Sequence, residues 1–194
     1  AAITNSMLLA GGDAPAAEVA VNSGHDALLV RGRSGDRDIG TNDQVSLSFA
    51  ASRARYHAAI KDTVVLGEAR PQHGDMFDAA EAALAASVAA MRPGNTFGDV
   101  SNANAQVIRD RGMGKLRLNA CGTSMGASFA PSWNNDPMFY QGNPTEIVPN
   151  MTLFAHAVLL DSEHDAAMGI GRTYLTTDGE AECLSGVPIR FIRK

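Results

Sequence analysis

A chain of 194 residues with 45% hydrophobic and 19% charged residues is long enough to bury a sizeable core in one domain and too evenly mixed to be disordered. The net charge of −5, with Lys and Arg scattered and only a short basic end at Arg190, Arg193 and Lys194, argues against a nucleic-acid-binding face. No stretch reads as a membrane span or a secretory leader, and two cysteines, Cys121 and Cys183, outside any CxxC pair, point to a reduced, cytoplasmic protein in which each thiol is a small buried residue.

The first ten residues, Ala1 to Ala10, read as the tail of a helix stopped by Gly11-Gly12. A helix tail with no head predicts that the domain's N-terminal part is missing, whether cleaved, disordered or supplied by another chain. Glu18 to Asn22 and Ala27 to Val30 are short apolar runs that predict strands, followed by a polar loop at 32–36. Val45-Ser46-Leu47-Ser48-Phe49 alternates as a half-buried strand does, and Ala58 to Leu66 continues with β-branched residues, so the two predict an antiparallel pair. Phe77, Leu84, Val88 and Met91 recur at helical spacing over 75–91, closed by Pro93-Gly94. Thr96, with Asp99 three positions on, predicts the cap of a second helix whose buried stripe is Val100, Val107 and Ile108. Strands are expected at 152–160, 169–177 and 180–184, the last two joined by the turn signal Asp178-Gly179. Strands, two helices, then strands predict an α+β fold with helices on one face of a mainly antiparallel sheet.

Several ordered motifs carry a resemblance. They are Val45 to Ala50, Tyr56-His57-Ala58-Ala59-Ile60, Gly122-Thr123-Ser124-Met125-Gly126, Pro149 to Leu153, and Gly171-Arg172-Thr173-Tyr174-Leu175 followed by Asp178-Gly179. Together they resemble the pita-bread hydrolases, a family that includes methionine aminopeptidase, aminopeptidase P, prolidase, creatinase and ectoine hydrolase. In the metallopeptidases of that family, the positions matching Ser48, Ala59, Thr123, His156 and Arg172 are metal-binding Asp, Asp, His, Glu and Glu. The resemblance implies a single pita-bread domain over 1–194, truncated at its N-terminus, that has kept the scaffold and lost the metal. Ala59 has no donor atom, Ser48 and Thr123 carry neutral hydroxyls, and a guanidinium has no lone pair to give. No cofactor and no metal are expected.

Each candidate site residue has a functional and a structural reading. Arg172, placed in the cleft by the resemblance, would hold a substrate carboxylate or a developing oxyanion, or else form a structural ion pair with Asp161 or Glu163. His156, alone in the apolar run 153–160, is either a packed core residue or the acid–base catalyst, a role that an imidazole suits near neutral pH. Creatinase works on this scaffold without a metal through a histidine on an early loop. The matching residue here is Arg31, which would join Arg172 in holding the carboxylate. His57 either reaches the cleft or turns outward by strand alternation. Thr123 and Ser124, in a glycine-flanked loop, either orient a carbonyl or make a tight turn. Trp133, within an aromatic-rich segment over 129–140, either walls a substrate pocket or packs under the sheet. The acidic run Asp161 to Asp165 reads as a solvated hairpin loop and not as a metal site.

The resemblance therefore implies a metal-independent hydrolase of C–N bonds in a small amide, amidine or amino-acid-derived substrate, similar to creatinase and ectoine hydrolase. A pseudoenzyme binding a peptide or small molecule is the second reading, and an Xaa-Pro peptidase-like metallopeptidase with an atypical site the third. The expected partners are a small-molecule or dipeptide-like substrate and a second copy in a homodimer, with a further chain or fragment completing the N-terminal part; nucleic acid and membrane are not expected.

Overall fold

The computed structural model describes residues 1–30, 32 and 35–194. A short helix α1 (Ala2–Leu9) precedes β1 (Ala20–Ser23) and a 3-10 turn over Gly24–Leu28. Then come β2 (Asp43–Arg53), β3 (Tyr56–Leu66), α2 (Pro71–Ala90) and α3 (Phe97–Asp110). The remainder is β4 (Gly122–Ser124), β5 (Asn135–Met138), β6 (Thr152–Asp161), β7 (Ala166–Leu175), β8 (Glu182–Cys183) and β9 (Ile192–Arg193). The strand predicted over 27–30 is absent: Gly24 takes a positive φ of 58° and the chain winds into the 3-10 turn instead. The Asp178-Gly179 signal does lie between antiparallel β7 and β8, although their pairing starts only at Leu175↔Glu182.

Among the described residues the strands form one sheet in the order β1-β2-β3-β7-β6-β4-β5, with β8 on β7 and β9 parallel on β3. Two long hairpins supply its centre, β2–β3 over eleven residue pairs and β6–β7 over ten. They meet at one backbone pair, Lys61↔Gly171. On either side of that pair a threonine takes the place of the ladder. Thr173 Oγ1 accepts from Ala59 N (2.8 Å) and donates to Ala59 O (3.0 Å). Thr63 Oγ1 accepts from Gly169 N (2.8 Å) and donates to Gly169 O (3.3 Å). A hydroxyl both gives and receives, so one side chain satisfies the amide and the carbonyl that splaying strands would otherwise orphan.

Strand alternation divides the sheet into two faces. Leu153, Ala155, Leu159, Met168 and Ile170 point to the helix side, where they pack with Met76 and Leu84 of α2 and Val100 and Ile108 of α3. Alanines at 79, 80 and 83, all fully buried, let α2 lie close to the strands. The capping residues of α3 are those the sequence signalled: Asp99 N donates to Thr96 Oγ1 (3.1 Å), and Thr96 N donates back to the Asp99 carboxylate (2.8 Å). The opposite face is lined by the other residues of the same strands, and it is there that the candidate site lies. Replacing Thr96 by Ala leaves an amide without its acceptor, and we expect a loss of about 1 kcal/mol in urea unfolding with no change in the slope.

Candidate functional site

Register reads this second face in transverse rows. The central row is Ala20–Ser48–Lys61–Gly171–His156 across β1, β2, β3, β7 and β6. Alternation adds a row with Ala50, Ala59, Thr173 and Phe154, with Thr123 of β4 beside Phe154, and on the other side a row with Asn22, Ser46, Thr63 and Gly169. Four of the five positions singled out in the sequence, Ser48, Ala59, Thr123 and His156, thus share one face.

Arg172 does not. It follows Gly171 by one residue and so points to the helix side, where it is 1% exposed. Its Nη1 donates to Lys61 O (3.1 Å) and Gly171 O (2.7 Å), its Nε to Val187 O (3.0 Å) and its Nη2 to Pro188 O (3.2 Å). Asp62, and neither Asp161 nor Glu163, is its ion partner at 3.0 Å. Burial pushes the Asp62 carboxyl up, and Arg172 holds it partly down. A hollow of about 430 Å³ borders Arg172, Tyr174, Cys183 and residues 185–189 on this back face. The guanidinium spends its donors on the protein's own groups, so the predicted role of holding a substrate carboxylate falls away. On β7 the residues that do face the site are Gly169, Gly171 and Thr173.

The other candidates divide as follows. Thr123 Oγ1 bonds the Asn135 carbonyl, and Ser124 Oγ bonds the Asp136 carbonyl (2.6 Å). Carbonyls only accept, so each hydroxyl spends its one proton on β5 and has none left to orient a substrate carbonyl. His57 is 4% exposed, and its Nε2 accepts from Ala16 N (3.0 Å), tying the chain before β1 to the sheet. Its ring proton therefore sits on Nδ1, which is buried without a partner. Trp133 packs edge-on to Phe154 (5.7 Å between centroids, 81°) in an apolar cluster with Met125, Ala50 and Ala59. It is a wall of this face, while Phe139 of the same aromatic segment crosses to the helix side and stacks on Phe97. His156 is half-buried beside Phe154 (5.4 Å between centroids). Arg31 lies outside the described residues. Asp161 caps its own turn, accepting from Glu163 N and His164 N at 3.1 and 3.2 Å, and Cys183, expected to be buried, is exposed.

The residue that sequence reading passed over is Lys61. It faces the site, is 5% exposed, and has Ser46 Oγ at 3.5 Å as its nearest polar partner; no carboxylate lies within ion-pair distance among the described residues. Burial lowers its pKa from 10.5 to about 8. Its stem runs over Gly169, where a Cβ would stand 2.5 Å from Lys61 Cε. Gly171 is equally constrained, since a Cβ there would meet His156 Cβ at 2.7 Å and Ala155 O at 2.9 Å. The sequence signal for Lys61 was present, a cation in an alternating strand two residues after Ala59.

These residues do not fit a divalent metal. The position on β3 is the apolar Ala59, fully buried in the cluster with Phe154 and Trp133. On β1, β2, β3, β6 and β7 no described residue of this face is Asp or Glu, and Lys61 puts an ammonium among them. No group of three or more His, Cys, Asp or Glu side chains able to hold a metal occurs among the described residues. Such an ion needs several oxygen, nitrogen or thiolate donors converging on one point.

Comparison with known proteins agrees with this geometry in fold. The profile of metallopeptidase family M24 matches residues 1–178. The Xaa-Pro dipeptidase of Pyrococcus furiosus is 25% identical over 120 residues, 62% of this chain and 34% of that protein. The uncharacterized hydrolase/peptidase y4tL of Sinorhizobium fredii is 28% identical over 146 residues, 75% of this chain and 36% of that one. The chain thus spans about a third of the length of these relatives. Among solved structures, the prolidase from Pyrococcus furiosus superposes with a TM-score of 0.90 at 21% identity, over 97% of this chain and 54% of that chain. The X-Pro aminopeptidase from Thermotoga maritima gives 0.91 at 18%, over 99% and 53%. The fold is the pita-bread fold.

Two substitutions separate the cations on the two faces. Arg172→Met leaves Asp62 buried without its counter-charge, and we expect a loss of about 3–5 kcal/mol in denaturant unfolding. Lys61→Met acts oppositely. Because the folded pKa lies below the unfolded one, the unfolded chain binds more protons between pH 8 and 10.5, and stability rises with pH there. The penalty is complete below pH 8 and gone above 10.5. Lys61→Met is therefore expected to exceed wild type by up to about 3 kcal/mol below pH 8, with the gap closing by pH 10.5. Cys121 and Tyr174, both raised to about 12 by burial, titrate alike in both proteins, so the difference between the two unfolding curves is the quantity to read.

Proposed function

Because this chain belongs to metallopeptidase family M24, with whose profile it shares residues 1–178, we propose that it hydrolyses a C–N bond of a small amide, amidine or amino-acid-derived substrate, and does so without the family's metal. What supports the metal-free part is the donor set of the site face: a buried alanine at one ligand position, a glycine strip on β7, an ammonium at the centre, and His156 as the half-buried imidazole.

In this reading His156 is the acid–base group. It takes a proton from a water molecule as the water oxygen attacks the carbonyl or amidine carbon. It then returns that proton to the departing nitrogen as the C–N bond breaks. The apolar wall of Phe154, Trp133 and Met125 excludes bulk water from the far side of the ring and strengthens polar contacts made there. Thr123 and Ser124 hold β4 against β5 and so fix the floor on which Phe154 and His156 stand.

The test is hydrolysis of glycyl-proline and related small amides by protein whose metal content is measured by elemental mass spectrometry. Turnover by metal-free protein, retained in chelator and reduced at least about 100-fold in kcat by His156→Ala in a folded variant, is the expected result. Stoichiometric Mn, Fe, Co or Zn with activity lost to chelator returns the chain to metal-dependent peptidases. Binding without turnover by any variant makes it a pseudoenzyme.

A further inference from the structure

Among the described residues the ammonium on the site face has no counter-ion, and its neighbours are polar groups with unused capacity. Lys61 Nζ carries three protons and has one long contact, to Ser46 Oγ at 3.5 Å. Ser46 is paired in register with Asn22 of β1, which is 4% exposed. The Asn22 amide nitrogen donates to Leu29 O (3.0 Å) and Gly32 O (3.2 Å), which fixes which end of the side chain is the oxygen. That oxygen, Oδ1, is buried with no partner. An uncompensated charge and an orphaned acceptor, on strands that flank Ser46, are both costly, and one ligand of the right polarity relieves both.

We propose that Lys61 is the anchor for a ligand carboxylate in this cleft, with Asn22 Oδ1 receiving an N–H of the same ligand. The ligand class is a small carboxylate bearing a nearby amide or amine nitrogen, as an amino acid, an N-acyl amino acid or a dipeptide does. The inference rests on the proposed function, for it names the group by which that substrate is held. Surroundings agree with it. Ser48 and His156, on either side of Lys61 and Gly171 in the central row, are both partly exposed, so the row meets solvent on each side of the ammonium. Gly169 gives the Lys61 stem room to lie against β7, and the end of a lysine side chain turns between staggered positions at little cost. On β1, β2, β3, β6 and β7 the charged or titratable side chains that share this face are Lys61, His57 and His156, none of them an anion at any pH; Glu182 of β8, paired with Leu175, and Arg193 of β9, paired with Val65, stand at its ends. An incoming carboxylate therefore meets no anion in the central row. A carboxylate held by a buried ammonium also explains why the cation is tolerated: it is a binding group that costs stability in the free protein and recovers it on binding.

The experiment is a binding titration followed through the side-chain carbon signals of Lys61 in protein labelled with 13C-lysine, assigned by Lys61→Arg. The probes are N-acetylglycine, its neutral counterpart N-acetylglycinamide, and acetate. Expected are saturable shifts of the Lys61 signals with N-acetylglycine and acetate and none with N-acetylglycinamide. Affinity for N-acetylglycine, read by calorimetry, falls at least about tenfold in Lys61→Met, is partly kept in Lys61→Arg, and falls in Asn22→Ala while acetate binding does not. Lys61→Met is expected to fold at least as well as wild type, so loss of binding is not loss of structure. Absence of a saturable shift up to roughly 100 times a millimolar dissociation constant overturns the proposal. So does equal binding of the amide, or unchanged affinity in Lys61→Met. Turnover does not enter this readout: a protein that binds but does not cleave upholds the anchor and sinks the hydrolase reading. One that cleaves metal-free yet shows no response at Lys61 does the reverse.

Discussion

Two hairpins can share a sheet only if their facing edges satisfy each other, and here β3 and β7 do so through one backbone pair and two threonines. The strands part on either side of this seam, with β9 pairing on the β3 side and β8 on the β7 side. Backbone groups left in the gap would each cost a lost hydrogen bond. Thr63 and Thr173, one from each hairpin, stand across the gap in the same way and close it. Everything else about the molecule is arranged around this line: α2 packs behind β6 and β7, and the two apolar clusters sit on the two faces of the strands it joins.

The seam also carries the two cations, one on each side. Behind it Arg172 clamps Lys61 O and Gly171 O together and is neutralised by Asp62. In front of it Lys61 lies over Gly169, with no neutralising partner among the described residues. The difference is one of chemistry as well as position. A guanidinium has enough donors in a fixed fork to knit several carbonyls into one structure, whereas an ammonium on a flexible stem is a point charge that follows a ligand. A third positive charge in front, a divalent ion at contact range of that ammonium, would be repelled by several kcal/mol in a partly desolvated site. Lys61 thus bears on the absence of carboxylates around it. Beside that cation, Ala59 packs against Phe154 and Trp133 in an apolar cluster.

Much of this was legible in the sequence and some was not, for identifiable reasons. The hairpin β2–β3, the two helices with the Thr96–Asp99 cap, and the loop at Asp161 to Asp165 follow from alternation, 3.6-residue spacing and capping, which are local signals. The short strands β4 and β5 were invisible because their pairing is decided by the long-range register with β6, not by their own residues. The segment 27–30 misled because an apolar run of four says nothing of its period. At the site, Ser48, Ala59, Thr123 and His156 were placed on one face, but the hydroxyls of Thr123 and Ser124 turned out to be spent on carbonyls that no sequence pattern announces.

Arg172 shows how sharp that limit is. In Gly171-Arg172-Thr173 the residues alternate between faces, so an assignment off by one residue moves a side chain from the cleft to the opposite layer. Chemical plausibility gave no protection, since an arginine in a hydrolase cleft is an ordinary thing to expect. What decides the matter is the register Ala155↔Arg172 and His156↔Gly171, which puts the glycine, and not the arginine, beside the imidazole. The same register brings the side chain of Lys61 to the row that the arginine was expected to serve. The two cations differ in consequence: Arg172 is satisfied by its own protein, while Lys61 has no carboxylate within ion-pair distance among the described residues.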